Sequence, residues 1–255
     1  MKTDNGSPIQ YQLVLSDQNI DLNKLIGEKI SFKFNGQINC VDCGKKTRKS
    51  YGQGFCFTCL QNSPLADPSI VRPELSRAQW GEARDIEWAK KHDLIPHYVY
   101  LALSSEVKVG VTRHHQIPTR WIDQGATAAA ILCQTPNRHI AGIIETELKN
   151  HYTDKTSWMK MLRNEVGALS LLEQEIPKAA KYLHPELQRY LKEEAEIMEL
   201  DFPVEEYPTK IQPLSFDKTP TIEGILKGIK GQYLIFDHGV LNIRKHSGYF
   251  IEVDF

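Results

Sequence analysis

Four of the five cysteines stand as Cys40-x-x-Cys43 and Cys56-x-x-Cys59, with twelve residues between the pairs. No other feature constrains the chain as much. Each pair sits in a turn-like setting, and two such knuckles can present four thiolates tetrahedrally to one ion at about 2.3 Å. Gly44 can supply the positive φ of a tight turn after the first pair. Four soft donors, with no histidine and no open position, imply a closed structural site that suits zinc. A segment this short and polar needs such an ion in order to fold. The rival readings are disulfides, four unligated core thiols, an iron–sulfur centre or a rubredoxin-like iron, which the ligand set alone also admits.

The rest of the sequence bears on that choice. The opening MKTDNGSPIQ has no apolar leader-type run, and no apolar stretch approaches the roughly 18 residues that span a bilayer. The expectation is a cytoplasmic protein without a membrane partner, in which cysteines stay reduced and paired ones bind metal. Net charge is −1, so no global basic field announces nucleic acid, and any such site must be a local patch. One candidate patch lies between the knuckles, where Lys45, Lys46, Arg48 and Lys49 precede Tyr51. These four could contact the phosphates of DNA or RNA, or could solubilise the loop and offset the thiolates.

The 255 residues allow two or three small domains of an α+β protein. Residues 9–15 and 29–35 alternate as strands, and 61–73, with three prolines, is a connector. Residues 74–92 read as a helix weakened at Gly81. Residues 97–103 and 106–112 form a hairpin. Pro118 opens a helix that Gly125 caps. Residues 126–133 are apolar and small, helix or strand, and Cys133 among them is a core residue. Residues 139–148 read as a strand running into a helix. Residues 156–198 read as helix interrupted near Pro177 and Pro185. Residues 192–206 hold seven acidic residues against one lysine, a solvated helix end and linker. Short β runs at 221–226, 231–236, 239–243 and 248–254 suggest a small antiparallel sheet or barrel that the N-terminal strands could complete. The expected segments are 1–73 with the zinc ribbon at 40–59, 74–165 as a central α/β domain, 166–206 as a helical segment, and 207–255 as a β unit. His114 and His115 read as loop residues. Trp121 and Trp158 read as core, though either could stack on bases.

Tyr98-Val99-Tyr100, Lys108-Val109-Gly110-Val111-Thr112, Arg120 and Glu145-Thr146-Glu147-Leu148-Lys149-Asn150-His151-Tyr152 occur in that order. Over residues 97–160 this resembles the GIY-YIG endonuclease superfamily, in particular its phage-type branch. There a Lys-Ile-Gly-x-Thr second motif is followed by Glu-x-x-Leu-His-x-x-Phe. The resemblance implies a metal-dependent nuclease acting on DNA or RNA. In it Glu145 would hold Mg²⁺ or Mn²⁺, Arg120 would stabilise transition-state charge, and Tyr100 would orient or deprotonate a water. Lys108 replaces the second motif tyrosine and would bind phosphate, and Tyr98 replaces the first motif glycine. More narrowly, KVGVTR, PTRWIDQGA and the cysteine ribbon resemble a bacterial family of unknown function, DUF2797, a name that implies no activity.

Two other readings of the same residues stand beside this one. Arg120 and Glu145 could form an ordinary ion pair, and Tyr100 and Lys108 could be plain strand-face residues. The protein would then be a non-catalytic zinc-containing module that binds nucleic acid or a protein partner.

Overall fold

The computed structural model describes residues 1–16 and 18–255. They divide into two compact units. The first holds residues 1–63, 162–164 and 200–255, and the second holds 64–161 and 165–199.

The first unit opens with β1 (Lys2–Asp4), β2 (Gln10–Val14) and β3 (Asn19–Asp21), a three-stranded antiparallel sheet. β2 alternates, burying Tyr11 and Leu13 and exposing Gln10, Gln12 and Val14, as a half-buried strand should. β4 (Lys29–Asn39) ends at the first cysteine, and β5 (Lys46–Thr47) folds back on it. α1 (Phe57–Asn62) follows the third cysteine.

The second unit begins in the connector. Instead of one helix over 74–92, short 3₁₀ turns at Pro73–Leu75 and Ala78–Trp80 precede α2 (Ile86–His92). Gly81 ends the second turn at φ +80°, and the Asp85 side chain caps α2 by accepting from the Trp88 N–H at 2.9 Å. β6 (His97–Leu103) and β7 (Val107–Arg113) form the expected hairpin, and α3 (Thr119–Asp123) follows cis-Pro118 and ends before Gly125 at φ +68°. The ambiguous apolar run is β8 (Ala128–Thr135), paired antiparallel to β6. Residues 139–148 are helical throughout, within α4 (Arg138–Leu148), so the expected strand there is corrected. Asn137 caps this helix, and Ile140, Ala141, Ile144 and Leu148 set its apolar stripe at helical spacing.

α5 (Trp158–Leu162), α6 (Leu169–Tyr182) and α7 (Pro185–Gln188) follow. Pro177 does not break α6. Leu172, Ile176, Ala179 and Leu183 all pack on the same core, and that burial outweighs one missing N–H. The acidic stretch is not wholly linker either: β9 (Ile197–Glu199) pairs with β8 and completes the sheet order β7-β6-β8-β9. One face of this sheet, with Val99, Leu101, Leu103, Val107 and Val109, meets α4 and α6 in the core.

The chain then returns to the first unit with β10 (Pro213–Leu214), β11 (Thr221–Lys230), β12 (Tyr233–Phe236), β13 (Gly239–Asn242) and β14 (Tyr249–Asp254). The strand order is β10-β13-β12-β11-β4-β14. β4 therefore lies between β11 and β14, with Phe32 opposite both Ile222 and Val253. Of the N-terminal segment, β4 with β5 joins this sheet, β1–β3 form their own, and residues 64–73 belong to the second unit.

Candidate functional site

Two constellations gather chemistry, one in each unit. In the first, β4 delivers Cys40, and Gly44, at φ +70°, turns the chain so that its N–H reaches the Cys40 carbonyl at 2.9 Å. A bridge between Tyr51 and Phe55 closes the second knuckle, and Cys56 and Cys59 sit at the head of α1. All four Sγ atoms lie within 4.8 Å of one another, with Cys43 and Cys56 3.9 Å apart. Four sulfurs tetrahedral at about 2.3 Å from one zinc would be separated by about 3.8 Å, so the donor set fits such an ion. Disulfides are not formed, since all five cysteines are free thiols. Burial pushes the Cys40 thiol up, but backbone N–H groups of Cys43, Cys56 and Asp42 outweigh it and bring it down to about 6. The Asp42 side chain and burial push the Cys59 thiol up, a rise that a bound dication would reverse. Cys133 is buried and pushed up to about 12 by burial, an inert core residue.

In the second unit, Tyr100, Ala102, Lys108 and Gly110 share the sheet face opposite the core, with Tyr100 paired to Gly110 and Ala102 to Lys108. Gly110 leaves room for the tyrosine ring, because a Cβ there would fall 2.5 Å from Tyr100 Oη and 2.6 Å from Cζ. α3 covers this face. Trp121 packs edge-on to Tyr100 at 5.9 Å, and Gln124 Nε2 donates to Tyr100 Oη at 2.8 Å. Burial raises the Tyr100 hydroxyl pKa, against a lowering by the nearby Arg120 guanidinium. Lys108 is 4% exposed, and burial together with the Arg120 charge brings it down to about 8, against the pull of Glu145 and Asp154.

Glu145 enters this field from α4. Burial raises its carboxyl pKa, and Lys149 one turn on opposes the rise, with its Nζ 3.1 Å from Oε2. The same ammonium meets Asp154 at 3.4 Å. Glu145 is thus paired with Lys149, not with Arg120, and the simple Arg120–Glu145 ion pair is corrected. α4 itself is held close to the connector. A Cβ at Gly142 would fall 2.1 Å from the Glu74 nitrogen, so the helix can approach only with glycine there.

Of Tyr100, Lys108, Arg120 and Glu145, the first two share one sheet face, Arg120 comes from α3 on that face, and Glu145 comes from α4 on the other, with its charge acting on both Tyr100 and Lys108. Gln124, Lys149 and Asp154 were not singled out. The Glu145–Lys149 spacing of four along a helix was the available signal. Trp121 is core, as expected, and His114 and His115 are exposed. Lys45, Lys46, Arg48 and Lys49 are all exposed, in the first unit, whereas Lys108 is buried in the second.

The contact between Gly110 and Tyr100 gives a direct check. Gly110→Ala is expected to destabilise the protein by about 1–3 kcal/mol, the usual cost of overpacking a rigid group. In a Tyr100→Ala background the same change should cost much less, because the ring is gone. Urea midpoints of the four proteins measure this coupling. Equal costs in both backgrounds would show that the ring and Gly110 do not constrain each other.

No curated protein and no solved structure matches this chain. The family described as Protein of unknown function (DUF2797) matches residues 27–251, which takes in the cysteine cluster and Tyr100, Lys108, Arg120 and Glu145, and the chain belongs to that family.

Proposed function

We propose that the second unit hydrolyses phosphodiester bonds in DNA or RNA as a divalent-metal-dependent nuclease of GIY-YIG-like type, with the four-cysteine ribbon as a structural zinc site beside it in the chain. The observation that carries this reading is that Tyr100 and Lys108 share one face of the β6–β7 hairpin, and the charges of Arg120 in α3 and of the buried Glu145 in α4 both act on them. The order hairpin, α3, β8, α4 supports it, since the hairpin supplies Tyr100 and Lys108, the first helix Arg120 and the second Glu145.

Glu145 is the residue that would hold Mg²⁺ or Mn²⁺. Its carboxylate already carries one cation, the Lys149 ammonium, with Asp154 on the far side. When bound, such an ion polarises the phosphate and offsets charge on the leaving oxygen. Arg120, half-buried in α3, places a fixed charge where the phosphorane charge grows. Lys108 adds a second cation on the same face. Tyr100, with its pKa raised by burial, stays protonated at neutral pH and orients the attacking water as a hydrogen-bond partner rather than as a base.

A second reading is favoured by the burial of Tyr100 and Lys108, at 1% and 4% exposed. In it the same residues are structural and the protein binds nucleic acid without cleaving it. Cleavage of supercoiled plasmid and of structured RNA, with Mg²⁺, with Mn²⁺ and without added metal, separates the two. Arg120→Ala should cost roughly a hundredfold to a thousandfold in rate, typical of one lost transition-state contact. Tyr100→Phe keeps the ring against Trp121 and removes only the hydroxyl. Cleavage indifferent to both substitutions would assign the activity elsewhere, and no cleavage by the wild type would leave the binding reading.

A further inference from the structure

We infer that the ribbon is a binding surface for single-stranded nucleic acid, with phosphates on Lys45, Lys46, Arg48 and Lys49 and a base stacked on Phe57. The inference rests on the nuclease reading only in taking nucleic acid as the partner.

The charge comes first. Among the described residues, none of the four cations forms an ion pair with a carboxylate. Asp42 is the only acidic residue between Cys40 and Asn62. Four exposed positive charges without an ion-pair partner therefore stand together on one short segment of a chain of net charge −1. This patch can release counterions from a phosphate backbone.

The aromatic residues supply the second, independent observation. Phe57 is 55% exposed, directly after a metal-ligating cysteine at the first position of α1. Its ring meets Tyr51 edge-on, with centroids 5.7 Å apart, and Lys49 Nζ lies 5.4 Å from the Tyr51 centroid. Phosphate-binding cations thus run directly into an open aromatic platform, joined by Tyr51. Val41, 48% exposed, adds apolar surface on the same knuckle pair. A duplex buries its base faces and can use only the cations. A single strand presents phosphates and base faces together, and every base has a face that can stack.

The experiment is fluorescence anisotropy with the full-length protein, without added divalent metal, using a labelled oligothymidylate and a hairpin duplex of equal length. The wild type should bind the single strand more tightly. Its affinity should fall with salt at a slope near −3, from about −0.7 for each of four neutralised phosphates. Phe57→Ala should weaken single-strand binding roughly tenfold to a hundredfold and leave the salt slope and the duplex affinity unchanged. Phe57→Trp should restore binding. Replacing the four cations by alanine should flatten the slope for both ligands. Metal content equal to wild type certifies each variant as folded at the ribbon. The inference is overturned if Phe57→Ala binds the single strand as tightly as wild type. It is likewise overturned if the duplex binds as tightly as the single strand, or if neither binds at low salt, as for a surface serving an acidic protein. Binding without cleavage would defeat only the nuclease reading, and cleavage with no effect of Phe57→Ala would defeat only this one.

Discussion

Cys43→Ser and Cys56→Ser are each expected to empty the ribbon, taking bound zinc from about one per chain to near zero. Each substitution removes one of four thiolates from a closed site, and serine oxygen is a poor donor for an ion that four soft sulfurs select. The loss should unfold residues 38–60 locally. Little else holds that segment: β5 is two residues long, Cys43 and Val41 are exposed, and α1 buries none of its residues. Unfolding should stop at Ile38, which is buried and paired to Tyr249 of β14. Structural zinc contributes on the order of 10 kcal/mol in isolated finger peptides, so the ribbon has no other interaction of comparable size. Elemental analysis identifies the ion and would reveal iron if iron were bound instead. Hydrogen exchange locates the unfolding. Full metal retention in both variants would remove the cysteine site from the account, and lost protection across residues 97–160 would show that the units do not respond separately.

Under the proposed nuclease function, Glu145→Gln is expected to abolish metal-dependent cleavage while leaving the protein at least as stable near neutral pH. The chemical half follows from charge, because glutamine keeps the shape and removes the anion that would hold the metal. The stability half follows from the raised carboxyl pKa, which burial causes and Lys149 only partly offsets. The folded state binds that proton more tightly than the unfolded chain does. The stability this contributes is full below the ordinary value of 4.5 and is lost as pH rises through the raised folded value. At neutral pH the ionised carboxylate is a net cost that glutamine removes, and Lys149 keeps Asp154 at 3.4 Å. Below about pH 4 the two proteins should converge in stability. Glu147→Gln serves as the control, because Glu147 Oε1 accepts the His184 N–H at 2.9 Å and has structural work instead. Cleavage that survives Glu145→Gln and fails in Glu147→Gln would reassign the metal ligand. A large loss of stability at neutral pH in Glu145→Gln would make the Glu145–Lys149 pair a structural one.

Several elements could be read from neighbouring residues because the forces that form them act over a few positions. The knuckles depend on cysteines three apart and one glycine, and the β6–β7 hairpin depends on alternation across a three-residue connection. The end of α3 depends on Gly125. The candidate residues Tyr100, Lys108, Arg120 and Glu145 could be named from their order along 97–160. Where local signals conflicted, tertiary burial chose. Residues 128–135 carry no period because β8 lies inside the sheet between β6 and β9 and is apolar on both faces. Residues 138–148 begin like a strand, yet Asn137 caps them and the core takes their helical stripe.

By itself the sequence determined the ribbon, the hairpin and the identity of the residues that carry charge, since each rests on contacts within about twenty residues. Only the tertiary structure decided that β4 is held by β11 and β14, roughly 190 to 220 residues further along the chain. Strand pairing at that distance depends on which edges meet after collapse, and no short window encodes it. The same is true of the candidate active site. Gly110 is small because a ring from another strand lies over it, burial pushes the Tyr100 hydroxyl above its ordinary value, and Glu145 is held by Lys149 and shares that cation with Asp154. Residue type can be read along a chain, but burial and the partner of a charge exist only once distant segments have packed.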